Sequence, residues 1–243
     1  MIYRTQPGQA SSGEAIGILL LDTSVPFIPG DVANATTYSF PVRYQKVHGF
    51  TVARALGKDP AVFDSLLEAA RDLCSQGVRA ITGDCGFMAV HQKKLAAEMD
   101  VPVFLSSLLQ LPFVLNIVGP SAKVGVITAD SRSLDEALLN EIGAAPVSRL
   151  VVRGLEDQKY FHEFGIAETG LLDAEKVEAE VVATARQMVL EWPQIRAMLL
   201  ECSLLPPYAA AVCEAVGLPV FDYVTMINYV FSAVVKRRFE GFV

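Results

Sequence analysis

Short apolar runs alternate along the chain with longer stretches in which apolar residues recur at helical spacing. Ile16 to Leu21 is an apolar run that predicts a first strand. From Phe63 to Gln76, the residues Leu66, Leu67, Ala70 and Leu73 share one side, which predicts a helix stopped by Gly77. Val78 to Thr82 predicts a strand, Phe87 to Glu98 a helix and Val101 to Phe104 a short strand. The pattern then restarts. Val124 to Thr128 predicts a strand, Leu134 to Ile142 a helix ending at Gly143, and Val147 to Val152 a strand. Glu175 to Leu190 predicts a helix closed by Trp192-Pro193, followed by a strand at Ala197 to Leu200. Pro207 to Val216 predicts a helix, Val220-Phe221 a strand and Met226 to Arg238 a last helix. Gly154 to Gly170 reads as a loop or short-helix region near a cleft. Pro26 to Asp31 reads as a loop that flanks a cleft mouth or serves as an ordinary surface connection. Alternating strands and helices predict an α/β fold with mainly parallel sheets covered by helices.

The restart is also a repeat. Ile16-Gly17-Ile18-Leu19-Leu20-Leu21-Asp22-Thr23 matches Val124-Gly125-Val126-Ile127-Thr128-Ala129-Asp130-Ser131, an offset of 108. Arg79-Ala80-Ile81-Thr82-Gly83-Asp84-Cys85 matches Arg196-Ala197-Met198-Leu199-Leu200-Glu201-Cys202 at an offset of 117. The same offset joins Val101-Pro102-Val103-Phe104 to Leu218-Pro219-Val220-Phe221. Two pseudo-symmetric α/β domains are therefore expected. Residues 1–115 with the C-terminal helix 221–243 form one, residues 116–220 form the other, and the active site lies in the cleft between them.

With 243 residues, 52% of them hydrophobic, the chain can bury a large core. A formal net charge of -7 gives no basic field for nucleic acid. Lys236-Arg237-Arg238 is expected to complement the end of the last helix. The apolar runs are too short to span a membrane, and a cytoplasmic enzyme is the simplest expectation. No HExxH, CxxC, GxGxxG or Walker A pattern is present, so no metal and no cofactor is expected. Nucleic-acid and membrane partners are not expected either. Assembly into a homo-oligomer is left open.

Cys85 and Cys202 each follow a predicted strand and precede a predicted helix, where ligands meet an open α/β sheet. Backbone N–H groups there lower a thiol pKa and hold a carboxylate. Two equivalent thiols across a cleft suit proton transfer at a carbon, one on each face. Cys74 and Cys213 lie inside helical patterns and are expected in the core. His91 is expected on a helix surface. Asp22 and Asp130 end equivalent strands, as amine-binding or thiol-orienting groups or as caps. Thr128 offers a hydroxyl at the cleft or a core packing group. Asp84 and Glu201, paired by the repeat, either raise the thiol pKa values or face solvent.

These features resemble the aspartate/glutamate racemase superfamily, which includes hydantoin racemases, maleate isomerases and arylmalonate decarboxylase. The resemblance covers essentially the whole chain. It implies two pseudo-symmetric domains, no cofactor, and one catalytic cysteine from each domain, here Cys85 and Cys202. The family's first cysteine is often followed by Asn-Thr, where this chain has Gly86-Phe87. Its second sits in a Gly-Cys-Thr pattern, where this chain has Glu201-Cys202-Ser203. Asp22-Thr23 is similar to the Asp-Ser pair that ends the first strand in glutamate racemases. Asp22, Thr23, Gly86, Phe87, Thr128 and Ser203 are thus the expected substrate-binding set. The departures argue against aspartate or glutamate in particular.

A small carboxylate-bearing substrate and a two-cysteine racemase or epimerase of an amino acid or related compound are the leading expectation. The alternatives are a cis–trans isomerase, decarboxylase or lyase of the same superfamily, or a non-catalytic protein that binds a small carboxylic acid.

Overall fold

A computed structural model of the chain describes residues 2, 4, 7–144 and 146–243. In the first half, β1 (Ile16–Leu20), β2 (Val42–Lys46), β3 (Ala80–Gly83) and β4 (Val103–Phe104) form a parallel sheet in the order β2-β1-β3-β4. In the second, β5 (Lys123–Thr128), β6 (Leu150–Gly154), β7 (Ile195–Leu200) and β8 (Val220–Phe221) form a parallel sheet in the order β6-β5-β7-β8. The order is the same, and so is the register. Ile16 pairs with Val42 and Val124 with Leu150, both partners displaced by 108. Ile81 pairs with Val103 and Met198 with Val220, both displaced by 117. The repeat in sequence is a repeat of strand pairing.

The helices are α1 (Val52–Leu56), α2 (Phe63–Ser75), α3 (Gln92–Ala97), α4 (Leu111–Ile117), α5 (Glu136–Glu141), α6 (Lys159–Phe161), α7 (Ala174–Glu191), α8 (Ala209–Val216) and α9 (Tyr223–Val234). The amphipathic pattern sets how they cover the sheets. α2 buries Phe63, Leu66, Ala69, Ala70 and Leu73, and α7 buries Val177, Val181, Ala185 and Met188. The Asp173 carboxylate caps α7 by accepting from the Lys176 N–H. Leu111, Val114 and Leu115 of α4 share a core with β5 and β7. α4 thus runs through the expected join at residues 115 and 116. Tyr223, Met226 and Ile227 of α9 pack on Ile16, Ile18 and Ala80 of the first sheet.

Several expectations need correction. The last helix begins at Tyr223, because Asp222 caps it by accepting from the Thr225 N–H at 2.7 Å, and it ends at Val234. Lys236-Arg237-Arg238 therefore lies beyond the helix and is exposed. The expected helix from Phe87 is a 3-10 segment, Gly86–His91, which turns into α3. Cys213 is exposed, whereas Cys74 is half-buried against Met99. His91 is buried, with the rings of Phe50 and Phe63 around it. β2, α1 and α4 are additional elements. β2 alternates Val42-Arg43-Tyr44-Gln45-Lys46 along an edge, where charged side chains reach solvent. Gly154 to Gly170 holds α6 and a π-helical turn, His162–Ile166.

The loop after β1 crosses to the second half. The Val32 N–H donates to the Ser203 carbonyl at 3.4 Å. Gly30 has a φ of +100°, and a Cβ there would sit 2.8 Å from Pro207 Cα. Both the backbone angle and the close approach require glycine. Gly30→Ala should therefore destabilise the protein by about 1–3 kcal/mol. Urea unfolding measures this, and an unchanged midpoint would contradict the close packing of this crossing.

Candidate active site

A cavity of about 40 Å³ lies at the strand ends between the halves. Thr23, Asp84, Cys85, Gly86, Phe87, Glu201, Cys202 and Ser203 line it, with Leu21, Val25, Phe27, Val52, Leu56, Ala129, Gly165, Ile166 and Leu204 as mainly apolar wall. None of these is Lys, Arg or His. Val25 and Phe27 bring the loop after β1 to the cavity, and Gly165-Ile166 bring the π-helical turn.

The repeat builds the site twice. The Asp84 N–H donates to the Leu19 carbonyl at 3.0 Å and the Glu201 N–H to the Ile127 carbonyl at 2.8 Å. Each acid then reaches back to the residue after the first strand of its own half. Asp84 Oδ1 accepts from the Leu21 N–H at 2.9 Å, and Glu201 Oε2 accepts from the Ala129 N–H at 3.3 Å. Each cysteine carbonyl accepts three residues on, from Met88 at 3.0 Å and from Leu205 at 3.1 Å. The halves are also laced together. The Ser203 hydroxyl donates to the Asp84 carbonyl. The Ser107 hydroxyl donates to the Glu201 carbonyl at 2.9 Å.

Most of the expected site residues meet here, though in different roles. Cys85 and Cys202 both face the cavity and form no disulfide. Gly86 and Phe87 line it, and a Cβ on Gly86 would collide with Glu201 Oε1. Thr23 lines it with its hydroxyl donated to Glu168, beyond the π-helical turn. The Ser203 hydroxyl is committed to Asp84. Thr128 is buried behind the wall and donates to Glu201 Oε2 at 2.8 Å, so it orients that acid. Asp22 is not part of the lining. Its carboxylate accepts from Lys46 Nζ at 3.0 Å and from the Gly49 N–H at 3.1 Å. Asp130 accepts from the Arg132 N–H at 2.9 Å. Among the described residues, no group of three or more His, Cys, Asp or Glu is placed to hold a metal ion. Among them, no helix is long and apolar enough to cross a membrane.

Burial dominates the electrostatics. Asp84 and Glu201, 5% and 0% exposed, face the cavity and not solvent. Burial pushes each carboxyl up to about 7. Both thiols are pushed well above the usual range, first by burial and next by the charge of Glu201. N–H groups of Phe87 and Met88 beside Cys85, and of Leu204 beside Cys202, pull the other way and lose. The expected lowering of the thiols by these N–H groups is therefore overridden, because no cation sits among the lining residues to offset burial.

No protein-family model matches the chain. A dimethylsulfoniopropionate lyase from Durusdinium sp. clade D is 32% identical over 222 residues, 88% of this chain and 73% of that protein. Dimethylsulfoniopropionate lyase 7 from Emiliania huxleyi (strain CCMP1516) is 32% identical over 233 residues, 92% of this chain and 68% of that protein. The chain belongs to the dimethylsulfoniopropionate lyase family. Its fold is similar to those of solved racemases and of arylmalonate decarboxylase, as the resemblance in sequence implied. An allantoin racemase from Klebsiella pneumoniae matches with a TM-score of 0.64 at 14% identity, over 90% of this chain and 88% of that one. A sulfate-associated mutant of arylmalonate decarboxylase matches with a TM-score of 0.59 at 19% identity, over 92% and 94%. The family is one of enzymes; its relatives are named as lyases, and its fold neighbours include a decarboxylase beside racemases.

The buried acids make a prediction about stability. Asp31, which is also buried, is pushed up to about 8, and Asp84 and Glu201 to about 7. Unfolded carboxyls titrate near pH 4. Between about pH 4 and 8 the folded state holds protons that the unfolded chain has lost, so stability falls as pH rises. Carboxylates held low, such as Asp22 by the Gly49 N–H and Lys46, act in the opposite sense but below about pH 4. Urea midpoints should therefore decline from pH 5 to pH 8. A midpoint that climbs across that range would contradict the buried acids.

Proposed function

We propose that the protein is a cofactor-independent lyase that cleaves a small β-sulfonio carboxylate, with dimethylsulfoniopropionate as its substrate. The observation that carries this is a small cavity with two thiols, two buried acids and no basic side chain. Such a cavity accepts a cation more readily than a second anion. A sulfonium centre carries no N–H or O–H, and its methyl groups need apolar wall, which Val25, Phe27, Val52, Leu56, Ile166 and Leu204 provide. Phe27 and Phe87 add aromatic rings to the lining, and a ring whose face meets a cation attracts it. Relatives named for this reaction support the same reading.

In the proposed step, one thiolate takes the hydrogen on the carbon next to the carboxylate. The C–H pair becomes the new C=C bond, and the C–S pair leaves with sulfur. The products are dimethyl sulfide, acrylate and a protonated thiol, and charge balances. Backbone N–H groups of the turns at Cys85 and Cys202 hold the carboxylate as negative charge builds on it. The sulfonium itself favours thiolate formation, because a cation nearby lowers a thiol pKa. The loop after β1 and the π-helical turn wall the cavity around the substrate.

The two-cysteine racemase reading differs in its proton bookkeeping. Racemisation removes a proton on one face and returns one on the other, so it needs both thiols. Elimination removes one proton and returns none. Cys85→Ser and Cys202→Ser should therefore act unequally on dimethyl sulfide release. Loss of the base should cost at least about 10²-fold, while the other variant keeps part of the rate. Headspace gas chromatography reads the product, with acrylate by NMR in deuterated water. If wild type releases no dimethyl sulfide but exchanges the α-hydrogen of amino acids or hydantoins, the lyase reading fails and the racemase reading stands.

A further inference from the structure

Glu201 holds an oxygen that the fold leaves without a partner. Among the described residues, the buried side-chain polar atoms lacking a hydrogen bond are Glu14 Oε2, Arg43 Nε, His91 Nε2, Tyr208 Oη and Glu201 Oε1. Of these residues, only Glu201 lines the cavity. Its other oxygen is fixed, by the Thr128 hydroxyl at 2.8 Å and the Ala129 N–H at 3.3 Å. The free one reaches across to Gly86, in the turn after Cys85 from the other half, where any side chain would collide with it. A fully buried carboxylate oxygen with nothing to accept from is costly. Here two donors and a glycine on the opposite half hold it in that state.

We propose that Glu201 is the cation-recognising residue of the site, its Oε1 facing the positively charged centre of the substrate beside the Cys85 turn. This rests on the lyase reading and deepens it. A sulfonium gives its counter-charge nothing to accept, so an oxygen free of other donors is a suitable partner. The contact is electrostatic, and the low dielectric of the cavity strengthens it. Asp84 is the counterpart in the repeat, but its aspartate side chain is one methylene shorter and accepts from the Leu21 N–H of its own half. The longer glutamate lets one half reach the turn after the cysteine of the other, at Gly86.

The opposite assignment has the same residue protonated and donating to the substrate carboxylate. Two probes separate them. Dimethylsulfonioacetate has no β-carbon and cannot eliminate, and 3-methylbutanoate is its uncharged-branch isostere. Calorimetric titration of the wild-type protein should show the sulfonium compound bound about tenfold or more tightly than the isostere, a difference of about 1.4 kcal/mol. In Glu201→Gln the ratio should fall toward one, with 3-methylbutanoate affinity little changed. Glu201→Asp, which keeps the charge but withdraws it, should show an intermediate preference and serves alone if the glutamine variant does not fold. Equal weakening of both ligands overturns the proposal in favour of carboxylate contact. A wild-type ratio near one overturns it outright. Dimethyl sulfide release by wild type is scored separately. A protein that releases none yet keeps the Glu201-dependent preference retains the cation site and loses the lyase reading. One that releases it without that preference loses the cation site alone.

Discussion

Two carboxyl groups buried at the ends of equivalent strands, with no basic side chain in the cavity beside them, set the terms for the rest of the structure. Asp84 and Glu201 are each held by one backbone N–H from the residue after the first strand of their own half. That contact can form only if the third strand of each half, in chain order, runs parallel beside the first in the observed register. It also fixes the direction in which the chain leaves the strand, and hence where each following cysteine points. Burial then keeps the thiols protonated near neutral pH and brings the two carboxyls to the midpoint of their titration there. Their ionisation waits on whatever cation enters.

The close approach of the halves depends on the same residues. Glu201 Oε1 occupies the space that a side chain at position 86 would need. The Ser203 and Ser107 hydroxyls donate to carbonyls at the same crossing. Gly30 lies against Pro207 where the loop after β1 crosses to the second half. Polar groups that would be costly in a dry interface are thus paired with one another, except Glu201 Oε1, which is buried against Gly86 without a partner. Stability given up at a site in this way is a common accompaniment of function.

Much of this architecture was legible in the chain, because repeated strands leave aligned apolar runs and constant offsets. The offsets of 108 and 117 reappear as identical pairings of β1 with β2 and of β3 with β4 in the second half. Both cysteines, Gly86, Phe87, Thr23 and Ser203 do line one cavity. The failures have a shared cause: local pattern does not report tertiary surroundings. β2 is a short edge strand with only two apolar residues, none of its residues fully buried, so its alternation is too brief to stand out as a strand. His91 sits at a helix start that reads as surface, yet Phe50 and Phe63 cover it. The pKa direction of the thiols turned on burial, which no local spacing reveals. Glu201 was visible as the repeat partner of Asp84 and as a departure from a glycine, but its unpartnered oxygen is a property of contacts made across the fold.

The charge balance of the cavity also bears on turnover. On the lyase reading, the bound substrate carries the positive charge that the cavity lacks. Elimination destroys that charge, since the C–S pair returns to sulfur and dimethyl sulfide leaves neutral. What stays behind is an acrylate anion facing two acids and two thiols, with no basic side chain lining the cavity. The interaction that drew the substrate in disappears in the chemical step, and repulsion replaces it. Binding energy is therefore realised with the substrate and weakened with the products, which favours release from a cavity of only about 40 Å³. A racemase has no such asymmetry, because its substrate and product carry the same charges. A site built from acids without a countercharge is thus better matched to a reaction that consumes a cation than to one that preserves it.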